Sequence, residues 1–295
     1  MNRQITGTTQ LALSARNFGL AITGSISEDD LKVLLDSAYE LSSQQFRNVI
    51  VSTQSTSQAR SDALDFLAAN LDQGYAEAGV ILGDFFSGRE KISNLERDYA
   101  KAFGFYKQAE ALDENTLASY AISDMLWWGL GTEMDREEAV SIKMKLARKG
   151  VWWAQNDIGL LYCKGIHFSQ NFRLAEKWFI AASWVDKGDN GKGFCPSEEA
   201  LHNLLKLYAT GKITSSSITG KMILGLDLDW QYLAIPEILY NIGIMHEKGI
   251  IFPQSYAESY KWKSLAKQNG FNADKYNSEV YYLGTFGRGF PSRFS

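Results

Sequence analysis

At 295 residues the chain is long enough for one large domain or two ordinary ones, unless it is a repeat array, in which each unit contacts only its neighbours. Its 45% hydrophobic and 22% charged residues are those of a globular protein, and a net charge of -4 gives no whole-chain attraction for nucleic acid. Two cysteines, Cys163 and Cys195, are too few for a disulfide framework, and no run approaches the roughly 18 apolar residues of a membrane helix.

The chain begins with a segment, 1–58, that differs from the rest. Residues 1–26 are rich in Thr, Ser and Gly and read as irregular or short-strand structure. Ser14, Arg16 and Asn17 interrupt the apolar stretch LALSARNFGLAI, so a secretory signal is not expected and a cytoplasmic location is. Leu31, Leu34, Leu35, Ala38 and Leu41 then recur at helical spacing and predict a helix over 28–46, part of a degenerate first repeat. After the polar connector STQSTS, a second helix is expected with Ala63, Phe66, Leu67 and Ala69 inward and Gly74 beyond its end.

From Gly74 onward one order returns. The segments 82–88, 122–129, 158–165, 204–211 and 242–249 each carry an apolar helical stripe that stops at a glycine. Their equivalent second positions are 83, 123, 159, 205 and 243, so the steps are 40, 36, 46 and 38. A period in this range is the signature of stacked helix pairs. Second helices are expected near Ala100, Glu137, Leu174 and Glu258, with the longest step taken up by the Gly-rich loop 186–196. The second helix of the fourth copy is irregular, because its sequence has two glycines and no small-residue face. Residues 271–295 contribute Tyr281, Tyr282, Phe286, Phe290 and Phe294 as an aromatic cap over the end of the array.

The clearest copy is WAQNDIGLLYCKGIHFSQNFRLAEKWFIAAS, with Ala154, Ile158, Gly159, Tyr162, Gly165, Ala175, Trp178, Ala181 and Ala182 at its packing positions. Small residues matter because two helices approach closely only where Gly or Ala leaves room for a large side chain opposite. These motifs resemble the Sel-like repeat family, relatives of tetratricopeptide repeats, over 59–270. The last copy matches through Ile242, Gly243, Gly249, Trp262, Ala266 and Gly270. Ser123 and Leu205 depart from the usual Gly, and His246 from the usual aromatic; Leu205 is expected to splay or shift the fourth pair. The resemblance implies an all-α fold, a right-handed superhelical solenoid of about five to six stacked antiparallel helix pairs. It also implies a binding scaffold without shared catalytic residues, used by many members as an adaptor in bacterial signalling, envelope and virulence systems and by some as an immunity protein against a secreted toxin.

On that reading, the side chains between the packing positions of each first helix face a concave surface. They are Tyr120, Asp124, Trp127, Trp128, Trp153, Asn156, Lys164, His202, Lys206 and Tyr240, an aromatic set with a few charges of the kind found in interface hot spots. Packing between repeats is the competing role for Trp127 and Trp153. A clamp for a peptide carboxylate would need polar residues at Val80, Tyr120, Asn156, His202 and Tyr240, and only Asn156 fits.

No cofactor, metal or catalytic residue is expected. Cys163, His167, Cys195 and His202 lack the tight paired spacing of a zinc site, and Cys163 and His167 straddle a helix-ending glycine. The loop DKGDNG has Gly188 where a calcium loop needs an oxygen ligand, and GTEMDREE reads as an acidic helix entrance. The chain has no metalloprotease, phosphate-loop, nucleophile-elbow or dinucleotide motif. The expected function is therefore non-enzymatic binding of a protein or peptide partner, in its sharper form a cognate secreted toxin, with neither nucleic acid nor membrane insertion involved.

Overall fold

The computed structural model describes residues 57–89, 96–183, 198–213 and 235–273. The helix expected over 28–46, the loop 186–196, the second segment of the fourth copy and most of the aromatic segment lie outside these residues.

The described regular elements are ten α-helices. They are α1 (Ser57–Asp72), α2 (Ala76–Ser87), α3 (Tyr99–Asp113), α4 (Thr116–Trp128), α5 (Arg136–Arg148), α6 (Trp152–Lys164), α7 (Phe172–Ser183), α8 (Glu198–Ala209), α9 (Pro236–Lys248) and α10 (Tyr256–Gln268). They make an all-α solenoid of consecutive helix pairs, and the chain divides into two compact units between Arg136 and Glu137. In the first unit α2 packs on α1 and α3, and α3 on α4; in the second α6 packs on α7, α7 on α8, α8 on α9 and α9 on α10.

The ends of the helices are written in the sequence. The first helices α2, α4, α6 and α9 stop at Gly88, Gly129, Gly165 and Gly249, each left-handed with φ between 65 and 73°. A residue with a Cβ is strained in that conformation, and the cap returns its N–H to the helix's last carbonyls. Entrances are capped by side chains: Asp98 accepts from the Lys101 amide at 2.9 Å, and Asn115 from those of Leu117 and Ala118.

Within a pair, glycine sets the crossing. A Cβ placed on Gly159 would lie 2.6 Å from the Phe179 ring, and one on Gly83 would lie 2.4 Å from that of Tyr106. No real side chain is accommodated at such distances without movement of the ring. At Gly243 the close neighbour is the Lys263 stem, 2.7 Å away.

First and second helices differ in burial. Every residue over 118–127 of α4, 154–161 of α6 and 199–209 of α8 is buried, polar ones included. The second helices bury single stripes: Ala139, Val140, Lys143, Leu146 and Ala147 in α5, and only Ser259 and Ala266 in α10. Alternation of enclosed and one-sided helices follows from stacking, because α8 meets α6, α7 and α9 at once. In α1, Ala63 and Leu67 are fully buried as the periodicity predicts, but Ala69 is exposed and Phe66 half-buried. Leu71 and Asn70 complete the inward face instead, one position further along the helix.

Candidate functional site

In the first unit, the expected binding residues all sit on α4. Tyr120, Asp124 and Trp127 are buried, while Trp128, next to the glycine cap, is half-buried. Asp124 has no solvent exposure, and its Oδ2 accepts from Nη2 of Arg89 at 2.8 Å. Burial acts most strongly on Arg89 and would lower its pKa, but Asp124, joined by Tyr106, Asp84 and Tyr120, outweighs it and the value ends above the ordinary one. The Arg89 guanidinium is accordingly charged at any physiological pH. Beside it, the Tyr106 hydroxyl donates to Asp84 Oδ1 at 2.7 Å and lies 3.3 Å from Ser87 Oγ, so the ring that passes Gly83 has its polar tip satisfied. The Arg136 guanidinium stands over the Trp127 ring, 5.2 Å from its centroid.

In the second unit the remaining six divide in the same way. Asn156, His202 and Lys206 are buried, Trp153 and Tyr240 are half-buried, and Lys164 is exposed. Asn156 Oδ1 accepts from Asn203 Nδ2 at 2.9 Å, joining α6 to α8 through a buried amide pair. Next to it, Asp157 Oδ2 accepts from Lys143 Nζ at 2.6 Å with neither side chain exposed, joining α6 to α5. Burial, with the neighbouring Lys206 charge, pulls the His202 pKa down to about 4, so the imidazole is neutral at pH 7. Tyr240 stacks on Phe271 with centroids 4.1 Å apart and has the Lys263 ammonium 5.8 Å from its ring.

Six of the ten expected contact residues are therefore enclosed, because the first helices are packed on several sides, and four are reachable by solvent. Sequence reasoning missed the partners of the buried polar groups: Arg89 for Asp124, the pair Lys143 and Asp157, and Asn203 for Asn156. One signal was available. Lys143 falls on the stripe of Ala139, Val140, Leu146 and Ala147, and a lysine on an apolar stripe requires an acid inside the fold.

The chemistry of the cysteine and histidines is equally bland. Cys163 is buried and its thiol is pushed up to about 12 by burial, which keeps it protonated. His246, in the place of the usual aromatic, stacks on Phe252 as an aromatic would, at 4.6 Å. Among the described residues no group of three or more His, Cys, Asp or Glu side chains is placed to hold a metal ion. Among the same residues no helix is long and apolar enough to cross a membrane.

The repeated pair, with its glycine crossing and left-handed cap, is matched by the Sel1 repeat family model at 82–113, 154–183 and 236–271. This chain is a Sel-like repeat protein. The matched Sel1 repeats are those with Gly83, Gly159 and Gly243 at the crossing; the copies with Ser123 and Leu205 there are not matched. No curated protein matches the chain at a significant level. Among solved structures it is similar to a Sel1 repeat protein from Oxalobacter formigenes, at 18% identity over 88% of this chain and 69% of that one, with a TM-score of 0.49. It is also similar to a protective antigen present in uropathogenic Escherichia coli strains and displaying an SLR fold, at 20% identity over 84% of this chain, with a TM-score of 0.58. The second likeness is one of fold, and this chain spans 50% of that antigen's length.

Proposed function

We propose that this Sel-like repeat protein is a non-enzymatic scaffold that binds another protein through the first helices of its repeats. The observation that carries the reading is which expected residues solvent reaches: Trp128 in the first unit, and Trp153, Tyr240 and Lys164 in the second. Large amphipathic rings with a cation are what hot spots are built from. Tyr120, Asp124, Trp127, Asn156, His202 and Lys206, enclosed in the same helices, act by fixing the backbone from which those side chains project. Such preorganisation reduces the ordering cost of binding.

The sharper form of the reading is an immunity protein whose partner is a cognate toxin. It draws on the uses of the family, as does the alternative, an adaptor in a bacterial signalling, envelope or virulence system. Affinity capture from the native host followed by mass spectrometry separates them. A single toxin recovered with the protein supports immunity, and a set of unrelated clients supports an adaptor. Turnover of a small molecule by the purified protein alone would overturn the non-enzymatic reading.

A further inference from the structure

The second helix α5 carries a surface that the first helices do not share. Ala139, Val140, Lys143, Leu146 and Ala147 are its buried stripe, and Ser141, Met144, Lys145, Arg148 and Lys149 recur at i, i+3, i+4, i+7 and i+8 on the face turned away from it. Four of these five are exposed and Met144 is half-buried. A hollow of about 570 Å³ lies on this face, lined among the described residues by the same five side chains.

Its charge runs against that of the chain. The whole sequence has a net charge of -4, but residues 139–175 hold six Lys and Arg and one acid, Asp157, which is enclosed with Lys143. That stretch is therefore +5, and three of its cations stand within five residues of α5. Lys145 and Lys149 are helix neighbours of like charge, with Arg148 between them, and like charges so spaced repel. The negative end of the helix dipole favours a cation in the last turn, but it does not call for three. Other second helices set their cations against acids: Lys101 and Lys107 of α3 meet Asp98 and Glu110, and Lys261 and Lys263 of α10 meet Glu258 and Glu247. The acids of α5, Glu137 and Glu138, are confined to its first turn, and Glu137 Oε1 lies 3.3 Å from His167 Nδ1.

The position of the cations selects the kind of anion. A compact dianion such as phosphate is held best at a helix N-terminus, where backbone N–H groups point at it. Here the backbone presents the carbonyl end, so attraction comes only from side-chain tips spread over two turns. Several carboxylates in succession match such a spread, and an arginine takes a carboxylate through two N–H groups at once.

We propose that this face of α5 is a docking surface for an acidic segment of a protein, with Lys145, Arg148 and Lys149 meeting successive Asp or Glu carboxylates and Met144 covering the apolar stems between them. The contact lies on a second helix, apart from the aromatic contact of the first helices, so either can fail without the other.

Fluorescence anisotropy of a labelled decaglutamate peptide, titrated with the full chain at low salt, tests this. The double variant Lys145→Gln, Arg148→Gln should bind at least about tenfold more weakly, and added salt should weaken the native interaction. Arg173→Gln with Lys177→Gln removes the same charge from exposed positions of α7 and should leave the affinity within about twofold. All four positions are exposed, and circular dichroism confirms that both variants are folded. A native protein that does not bind the peptide overturns the proposal, as does native affinity in the α5 variant. Equal losses in the two double variants also overturn it, because the attraction would then belong to total charge. Tighter binding of a duplex DNA than of the peptide, lost in the α5 variant, would overturn it by giving the face to nucleic acid.

Discussion

Lys143 of α5 and Asp157 of α6 form an ion pair, Nζ to Oδ2 2.6 Å, in which neither side chain has any solvent exposure. An enclosed pair of this kind holds its partners in register more than it adds stability, since both charges have been taken out of water. Removing one partner leaves the other charge stranded. Lys143→Met should therefore lower the unfolding free energy by about 3 to 5 kcal/mol, and adding Asp157→Leu to it should recover most of the loss. Urea denaturation of the two single variants and the double variant measures the coupling. A single variant costing less than about 1 kcal/mol would mean that the pair does not join these helices.

The close crossing at Gly159 makes a second prediction. Gly159→Ala places a methyl within 2.6 Å of the Phe179 ring, which must move, at a cost of about 1 to 3 kcal/mol; Gly159→Leu should cost more. Combining Gly159→Ala with Phe179→Leu should cost less than the sum of the two single changes, since the smaller side chain relieves the clash. Strict additivity in chemical denaturation would place the tight contact elsewhere.

His202 gives the stability a pH dependence. Its pKa is about 4 in the folded protein, against 6.5 for an exposed imidazole, so between those values the unfolded chain binds more protons. Stability from this group is complete above pH 6.5 and is lost as pH falls toward 4, to the extent of about 3 kcal/mol at most. His202→Asn should flatten the decline over that window relative to the native protein. An unchanged slope of denaturation midpoint against pH would show that the imidazole is solvated.

Most of the fold was legible in the sequence because its determinants are local. Gly88, Gly129, Gly165 and Gly249 each end a helix in the left-handed conformation, and Gly83, Gly159 and Gly243 mark crossings because a Cβ there would lie 2.4, 2.6 and 2.7 Å from the opposing side chain. The candidate site was legible only in part. Interleaving of packing and non-packing positions assigns one exposed face to each first helix, yet α4, α6 and α8 are enclosed almost all round, and Asp124, Asn156, His202 and Lys206 are enclosed with them. What satisfies these buried polar groups is long-range: Arg89 lies 35 residues from Asp124, and Asn203 lies 47 from Asn156. No local pattern encodes such pairings. Ala69 shows the same limit on a smaller scale, for the spacing predicts an inward side chain and the packing of α1 on α2 turns it out.

The enclosed members of the site are poor probes of binding. Tyr120 is 3% exposed, so Tyr120→Ala should act on stability, by about 3 kcal/mol or more, through the cavity it leaves. Thermal melting and urea midpoints should fall together. A Tyr120→Ala protein as stable as the native one would show that the ring is not part of the core.

The central claim, that a partner protein is held by the reachable rings of the first helices, is tested most directly by calorimetry. The captured partner is titrated with the native protein and with Trp128→Ala and Trp153→Ala, after circular dichroism and melting have shown that both variants are folded. Truncating a central aromatic costs about 2 kcal/mol or more, so each variant should bind at least roughly thirtyfold more weakly. Native affinity in both folded variants would contradict the account and move the contact away from the first helices.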